Sequence, residues 1–286
     1  PGRPAGPESL MKVTVRQMSD QEARILVEDA EPSFMNALRR TLMADVPKMA
    51  IEEVEFHLGP IRGEDGKEYE SVTPLFDEII AHRLSLIPIP TDLEVLEPRA
   101  TCSTCGGEGC PHCTIMFSLN KRGPGTAFSR DLVPVGDPKL APRDPDIPIV
   151  KLGDGQAMLI YATAILGTGA DHAKWQGAQG AAYKFYPILE FDPKDKTLTE
   201  EVASVCPVNI LEANGEFRVT DIEKCTLCRL CEEASDGQIK VSGDPTRFLF
   251  RFETDGALTP EQALNAALGI LQRKFEELAV GIEGLT

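Results

Sequence analysis

Residues 33–56 read SFMNALRRTLMADVPKMAIEEVEF and carry the first clear fold signal in the chain. Apolar side chains recur every four residues, at Phe34, Leu38 and Leu42. This spacing is typical of one face of an α-helix. Ser33 is a favourable N-cap residue, and Pro47 cannot continue a helix. The pattern therefore predicts a helix that is capped by Ser33 and ends shortly before Pro47.

Two strands are predicted ahead of this helix. Segments 13–18 (VTVRQM) and 23–28 (ARILVE) are joined by the polar residues SDQE. Their alternation of apolar and polar residues is typical of a half-buried strand pair. A further strand is predicted over 158–166. The proline-rich stretch 122–148 is not expected to be helical over most of its length.

The C-terminal segment predicts the longest helix. Thr259 is placed to cap it, Pro260 suits the first helical position, and Gln262 completes a Thr-x-x-Gln capping box. Apolar residues then follow at alternating spacings of four and three, at Leu264, Leu268, Leu271, Phe275, Leu278 and Ile282. A narrow stripe of this period is typical of a helix that packs along another long helix, either in the same chain or in a partner.

Composition and charge exclude several classes of protein. The chain has 286 residues, 42% hydrophobic and 26% charged, as expected for a folded globular protein. Its 29 basic and 45 acidic residues give a net charge of −16, so we expect no direct nucleic-acid contact. The longest apolar run, 157–166, is about half a membrane-spanning helix, so we expect no membrane binding. Residues 1–10 do not resemble a signal peptide; we expect them to be a cloning remnant on a cytoplasmic protein.

All eight cysteines fall into two groups of four. The first group lies in CSTCGGEGCPHC at 102–113, where two C-x2-C pairs flank a glycine-rich turn. Two such pairs can close a tetrahedron of sulfurs around one structural zinc ion, which leaves His112 as a bystander. The expected zinc ligands are Cys102, Cys105, Cys110 and Cys113. A metal-free loop and a disulfide framework are the alternatives.

The second group has the spacing of an iron–sulfur ligand set. CTLCRLC at 225–231 is C-x2-C-x2-C, and Cys206 is followed by proline. Two-cluster bacterial ferredoxins use C-x2-C-x2-C-x3-C-P, whose fourth cysteine binds the other cluster. Ser-Asp at 235–236 stands where the Cys-Pro after this run would be, so we expect one 4Fe–4S cluster rather than two. Its expected ligands are Cys206, Cys225, Cys228 and Cys231. A four-cysteine zinc site is the alternative.

Three segments read together resemble one protein family. They are NALRRTLMADVPKMAIEEVEF at 36–56, DEIIAHRLSLIPI at 77–89 and HAKWQ at 172–176. These segments are similar to the alpha-like subunits of cellular RNA polymerases. The ferredoxin-type spacing of the second cysteine group is similar to that of the archaeal, D-type form of those subunits. The similarity covers almost all of the chain from Met11 to its end.

The resemblance implies a discontinuous α+β fold. Both chain ends, 11–50 and 246–286, would form an alpha-like dimerisation domain. Residues 51–190 would form an inserted, mostly β domain with the zinc loop, and 191–245 a ferredoxin-like 4Fe–4S domain. The implied partner is a smaller alpha-like chain, subunit L. This heterodimer would be the platform for the second-largest subunit and for the small subunits N and P.

The resemblance also implies which side chains make these contacts. The heterodimer interface would use Phe34, Leu38, Leu42, Leu264, Leu268, Leu271, Phe275 and Leu278. Arg39 and Arg40 match paired arginines that approach the large subunits in this family. These two charges are otherwise read as solvated residues on an exposed helix face.

The sequence carries no recognisable catalytic centre. We find no nucleophile–base pair, phosphate-binding loop or paired-aspartate metal motif, and His172 beside Trp175 is read as a packed structural residue. Together with this absence, the resemblance implies a non-catalytic assembly subunit of an archaeal DNA-directed RNA polymerase. The alternative is a soluble iron–sulfur electron carrier or redox sensor.

Overall fold

The computed structural model describes residues 11–63 and 66–283. The remnant expected at 1–10 lies outside them. The helices are α1 (Pro32–Ala44), α2 (Asp77–Ser85), α3 (Glu200–Ser204), α4 (Leu230–Ala234) and α5 (Pro260–Glu283). The strands are β1 (Lys12–Met18), β2 (Glu22–Glu28), β3 (Lys48–Phe56), β4 (Pro60–Arg62), β5 (Glu68–Glu70), β6 (Thr114–Arg122), β7 (Gly125–Phe128), β8 (Val133–Pro134), β9 (Pro148–Leu152), β10 (Ala157–Gly167), β11 (Ala178–Glu190), β12 (Leu211–Glu212), β13 (Arg218–Val219) and β14 (Lys240–Thr254). The α+β prediction is confirmed.

The chain divides into two compact units. The described part of the first unit comprises residues 11–17, 23–39 and 182–251. The second comprises 18–22, 40–181 except the two undescribed residues, and 252–283. Both units are therefore discontinuous in sequence. Two of the expected domain boundaries fall inside strands. The boundary after residue 50 lies within β3, and the boundary after residue 245 lies within β14.

The first unit is built on a four-stranded sheet with the order β1-β2-β14-β11. The two strands predicted at 13–18 and 23–28 are present; each begins one residue earlier and ends at the predicted residue. Phe248 is fully buried and packs against the rings of Tyr183 and Phe185 on β11. Beyond β11, the segment 198–241 has its own apolar core, to which Cys206, Cys225 and Cys231 contribute.

Helix α1 begins before Ser33, so the prediction that Ser33 is its N-cap residue is wrong. Its first residue is Pro32, and the carbonyl of Glu31 accepts the first helical hydrogen bond from the Met35 amide at 3.1 Å. Ser33 is therefore inside the first turn, where its hydroxyl donates to the Glu31 carboxylate at 3.3 Å. Proline is well suited to the first turn because its φ is already helical and it has no amide hydrogen to leave unpaired.

The second unit is built on a sheet with the order β3-β10-β6-β8. Strand β10 is central: Ala162 lies opposite Val54 on β3 and opposite Phe117 on β6. Helix α2 contributes Ile80 and Leu84 to the same apolar core. The strand predicted at 158–166 is confirmed.

Helix α5 belongs to the second unit, and its predicted capping box is confirmed. The Gln262 amide donates to the Thr259 hydroxyl at 3.2 Å, and the Thr259 amide donates to the Gln262 side-chain oxygen at 2.9 Å. Among the described residues of this helix, the buried ones all lie in its first half, at Pro260, Ala263, Ala267 and Leu271. Within the described chain, no helix combines the length and apolarity needed to cross a bilayer.

Candidate metal sites and dimerisation surface

The four cysteines of the 102–113 loop converge on one point. Their sulfurs all lie within 4.8 Å of one another. The Sγ–Sγ distance is 3.7 Å from Cys102 to Cys110, 3.6 Å from Cys105 to Cys113 and 3.9 Å from Cys110 to Cys113. Four sulfurs at about 2.3 Å from a tetrahedral zinc ion stand about 3.8 Å apart. The group therefore has the dimensions of a closed site for one ion. His112 is not part of it.

Backbone amides of the loop also point at these sulfurs. The Gly109 amide donates to Cys105 Sγ at 3.3 Å, and this lowers the pKa of the Cys105 thiol to about 6. Gly109 has a φ of +107°, a conformation that side chains other than glycine rarely adopt. Burial raises the pKa of the Cys113 thiol to about 12. Because a metal binds thiolates, loading this site releases protons.

Two side chains outside the cysteine motif hold the loop in shape. The Glu97 carboxylate accepts hydrogen bonds from the Ser103 amide at 2.8 Å and the Ser103 hydroxyl at 3.0 Å. The Arg99 guanidinium donates to the carbonyls of Gly107 and Glu108 at 3.1 and 3.3 Å. Sequence reasoning missed both residues, because an isolated acid and base before a cysteine motif have no recognisable pattern.

The second group of cysteines lines one concave site in the first unit. Cys206, Cys225, Cys228 and Cys231 border a small cavity of about 10 Å³ that is otherwise lined mainly by apolar side chains. Three of the four are buried and Cys228 is exposed. In the described part of the chain, no three of these sulfurs lie within 4.8 Å of one another. This group is therefore wider than the first one.

The 225–231 segment bends twice through left-handed backbone, at Leu227 with φ +57° and at Arg229 with φ +63°. The Leu227 amide donates to Cys225 Sγ at 3.5 Å. Helix α4 starts after the second bend and carries Cys231, whose pKa is raised by burial and by the nearby Cys225. The C-x2-C-x2-C spacing thus turns all three side chains towards one cavity.

Two cations from the sheet of the first unit hold the chain just before Cys225. Lys184 on β11 donates to the carbonyls of Glu223 and Cys225, each at 2.7 Å. Arg16 on β1 forms an ion pair with the Glu223 carboxylate at 2.7 Å. Burial lowers the pKa of the Lys184 ammonium. The sequence gives no signal for these contacts, because residues 16, 184 and 223 are far apart in the chain.

The end of α5 is an uncovered apolar surface. Residues 272–283 are all exposed. Phe275 and Leu278 are 60% and 59% exposed, and Leu268 and Ile282 are also exposed. These residues lie on the stripe of period 3.5 that the sequence predicts as a contact surface.

Other residues expected at the interface lie inside the chain. Leu38 and Leu42 of α1 are only 2% and 1% exposed, and Leu271 of α5 is also buried. In the isolated chain these three side chains are therefore packed against other residues of the chain, and their contact with a partner stays a prediction. Leu264 and Phe34 are half-buried.

The remaining candidate residues have simple structural surroundings. Arg39 is half-buried and donates to the Asn36 side chain at 3.0 Å, whereas Arg40 is exposed. Trp175 is buried and its indole N–H donates to the Ile165 carbonyl at 3.1 Å. His172 Nδ1 accepts a hydrogen bond from the Lys174 amide at 3.1 Å and so caps a short turn.

Comparison with known proteins agrees with this arrangement. The sequence profile of the RNA polymerase Rpb3/Rpb11 dimerisation domain matches residues 24–275, which is most of the chain. The chain belongs to this dimerisation-domain family. It is 46% identical over 269 residues to DNA-directed RNA polymerase subunit Rpo3 of Thermoplasma volcanium, covering 93% of this chain and 97% of that protein. It is 38% identical to Rpo3 of Methanosarcina acetivorans, covering 96% of this chain and 99% of the relative. These two Rpo3 chains thus match this chain over nearly their whole length.

Proposed function

We propose that the chain is the Rpo3-type (D-type) assembly subunit of an archaeal DNA-directed RNA polymerase. It is a non-catalytic subunit that pairs through its dimerisation domain with an Rpb11-like partner, subunit L. The near full-length match to Rpo3 chains, together with the Rpb3/Rpb11 domain over 24–275, supports this function. Nucleotidyl transfer then belongs to other subunits of the cytoplasmic enzyme.

The observation that carries the pairing is the uncovered stripe of α5. Large apolar side chains that line one helix face and are open to water favour association with a second apolar surface. We propose that Leu264, Leu268, Phe275, Leu278 and Ile282 contact the partner. Phe34 is a further candidate on α1.

The pair would then serve as a platform for the rest of the enzyme. We propose that the second-largest subunit and the small subunits N and P assemble on it. Arg40, which is exposed, and its neighbour Arg39 are the candidates for contact with a large subunit. The net charge of −16 supports a position away from nucleic acid.

We also propose one zinc ion at the first cysteine group and one 4Fe–4S cluster at the second. Sulfur separations of 3.6 to 3.9 Å fit ligands that share one tetrahedral ion. In a 4Fe–4S cluster each cysteine binds a different iron, which suits the wider second group around its apolar cavity. The bound cluster would supply four iron–sulfur bonds that tie Cys206 to the 225–231 segment.

This assignment makes 191–245 a folding unit of its own, which we propose to be ferredoxin-like. The β12–β13 pair and the apolar core of 198–241 support that proposal. Because metal binding free energy is partly folding free energy, removal of iron should expose mainly this segment to hydrogen exchange. Unchanged protection in the iron-free protein would argue against it.

The test of the function is an anaerobic affinity purification of the chain from its native cells. We expect an Rpb11-like chain and the large polymerase subunits in stoichiometric amounts, with about four iron and one zinc per copy. Recovery alone, or with an electron-transfer partner, would overturn the assembly function.

Matched cysteine variants separate the two metals. Cys225→Ser with Cys228→Ser should remove iron and leave zinc, whereas Cys102→Ser with Cys105→Ser should remove zinc and leave iron. Loss of zinc alone from the first variant would instead mean that the second group is a zinc site.

A further inference from the structure

A groove in the first unit brings together positive charge from every strand of its sheet. The cavity has a volume of about 580 Å³. Its positively charged lining residues are Arg16, Arg24, Lys184, Lys224 and Arg251. Four of them belong to β1, β2, β14 and β11, which are adjacent in the sheet in that order. We call this surface the basic groove.

The acidic residues that line the basic groove do not balance it. They are Asp221 and Glu223, and each already forms an ion pair: Glu223 with Arg16 at 2.7 Å and Asp221 with Lys224 at 3.2 Å. The guanidinium of Arg251 is exposed and has no hydrogen bond or ion pair within the described part of the chain.

Such a row of like charges weakens the sheet, because like charges on neighbouring strands repel. It is also unexpected in a chain with a net charge of −16. An external anion that lies along the row would relieve the repulsion. The row of positive charges is therefore better explained by the binding of an anion than by a contribution to the stability of the isolated chain.

We propose that the basic groove binds an extended, acidic segment of another protein in the same assembly. Neighbouring strands are about 4.8 Å apart, so the row spans about 14 Å. That length suits several carboxylates along an extended peptide better than one small anion. Leu249, which is half-buried, adds apolar surface for the rest of such a segment. The inference rests on the proposed function only in taking the occupant to be a partner subunit.

The direct test uses the full chain and a fluorescent octaglutamate peptide, with octaglutamine and an eight-nucleotide RNA as comparisons. We expect octaglutamate to bind with an affinity that falls as salt is raised. Arg24→Gln with Arg251→Gln should weaken binding about tenfold, since each exposed charge pair contributes modestly. Arg251→Gln alone should give part of this loss without affecting the fold. The control is Arg62→Gln with Arg130→Gln, which removes two arginines outside the groove and should leave binding unchanged.

Equal binding of octaglutamine, or unchanged affinity in the groove variant, would overturn the proposal. Tighter binding of the RNA would mean that the groove binds nucleic acid rather than an acidic peptide, which would also overturn the proposal.

A second measurement uses the assembled polymerase, with a photoreactive phenylalanine analogue at Leu249. We expect cross-links to a peptide of another subunit that is rich in Asp and Glu. Cross-links only to neutral or basic peptides, or none in an intact polymerase, would contradict the proposal. Failure of the unmodified chain to join a polymerase would instead contradict the proposed function.

Discussion

Removal of two side chains from the uncovered end of α5 should weaken pairing with the Rpb11-like partner. Full burial of a large apolar side chain contributes about 1.5 to 3 kcal/mol. Phe275 and Leu278 are 60% and 59% exposed, so each has a little over half of that contribution left to gain. Phe275→Ala with Leu278→Ala should therefore cost about 2 to 3 kcal/mol of binding free energy, which is about 30- to 150-fold in Kd.

The assay is calorimetric titration of the chain with the purified partner, and Val280→Ala is the matched control. Val280 is 69% exposed on the same helix but falls outside the stripe of period 3.5. Its truncation should leave Kd within about twofold and, like the double change, should not lower the melting temperature of the chain alone. If Val280→Ala weakens pairing as much as the double change, or if the double change has no effect, the stripe is not the contact surface.

Three further predictions concern local supports of the fold. Thr259→Ala removes one half of the capping box of α5 and should lower the free energy of unfolding by about 1 kcal/mol in a denaturant titration. Glu97→Gln weakens the bonds that shape the turn at Ser103 and should reduce zinc affinity about tenfold in a competition with a chelator. Burial opposes ionisation of Asp131, but hydrogen bonds from the Phe128 amide and Lys121 outweigh it and lower the pKa of Asp131. Stability from this carboxylate is present above its unfolded pKa of about 3.9 and is lost as the pH falls through the lower folded value. Asp131→Asn should therefore reduce the melting temperature at pH 7 but have much less effect once the pH is below the folded pKa of Asp131.

Several features could be predicted because they depend on residues close together in the chain. The capping box at 259–262 needs only a threonine, a proline and a glutamine at the right spacing, and its two hydrogen bonds form as expected. The 102–113 spacing likewise brings four sulfurs within 4.8 Å of one another, since a glycine-rich turn between two C-x2-C pairs leaves few other arrangements. Strand alternation near the start of the chain located β1 and β2 to within one residue.

Which side of each helix is covered could not be predicted in the same way. The stripe of α1 and the stripe of α5 have similar apolar residues, yet Leu38 and Leu42 are buried while Phe275 and Leu278 are exposed. Periodicity identifies a helix face that avoids water, but it does not say whether the chain or a partner covers that face. The covering surface comes from residues that are distant in sequence.

The local elements, the two cysteine groups and the family resemblance could all be read from the order and spacing of residues within short segments. The supports of the cysteine loops could not, because Glu97 and Lys184 reach them through contacts that appear only in the folded chain. Folding also places Arg24 and Arg251 beside one groove, although more than two hundred positions separate them in the chain. Strands β2 and β14 become neighbours only through long-range pairing, and no local pattern encodes which distant strands will pair.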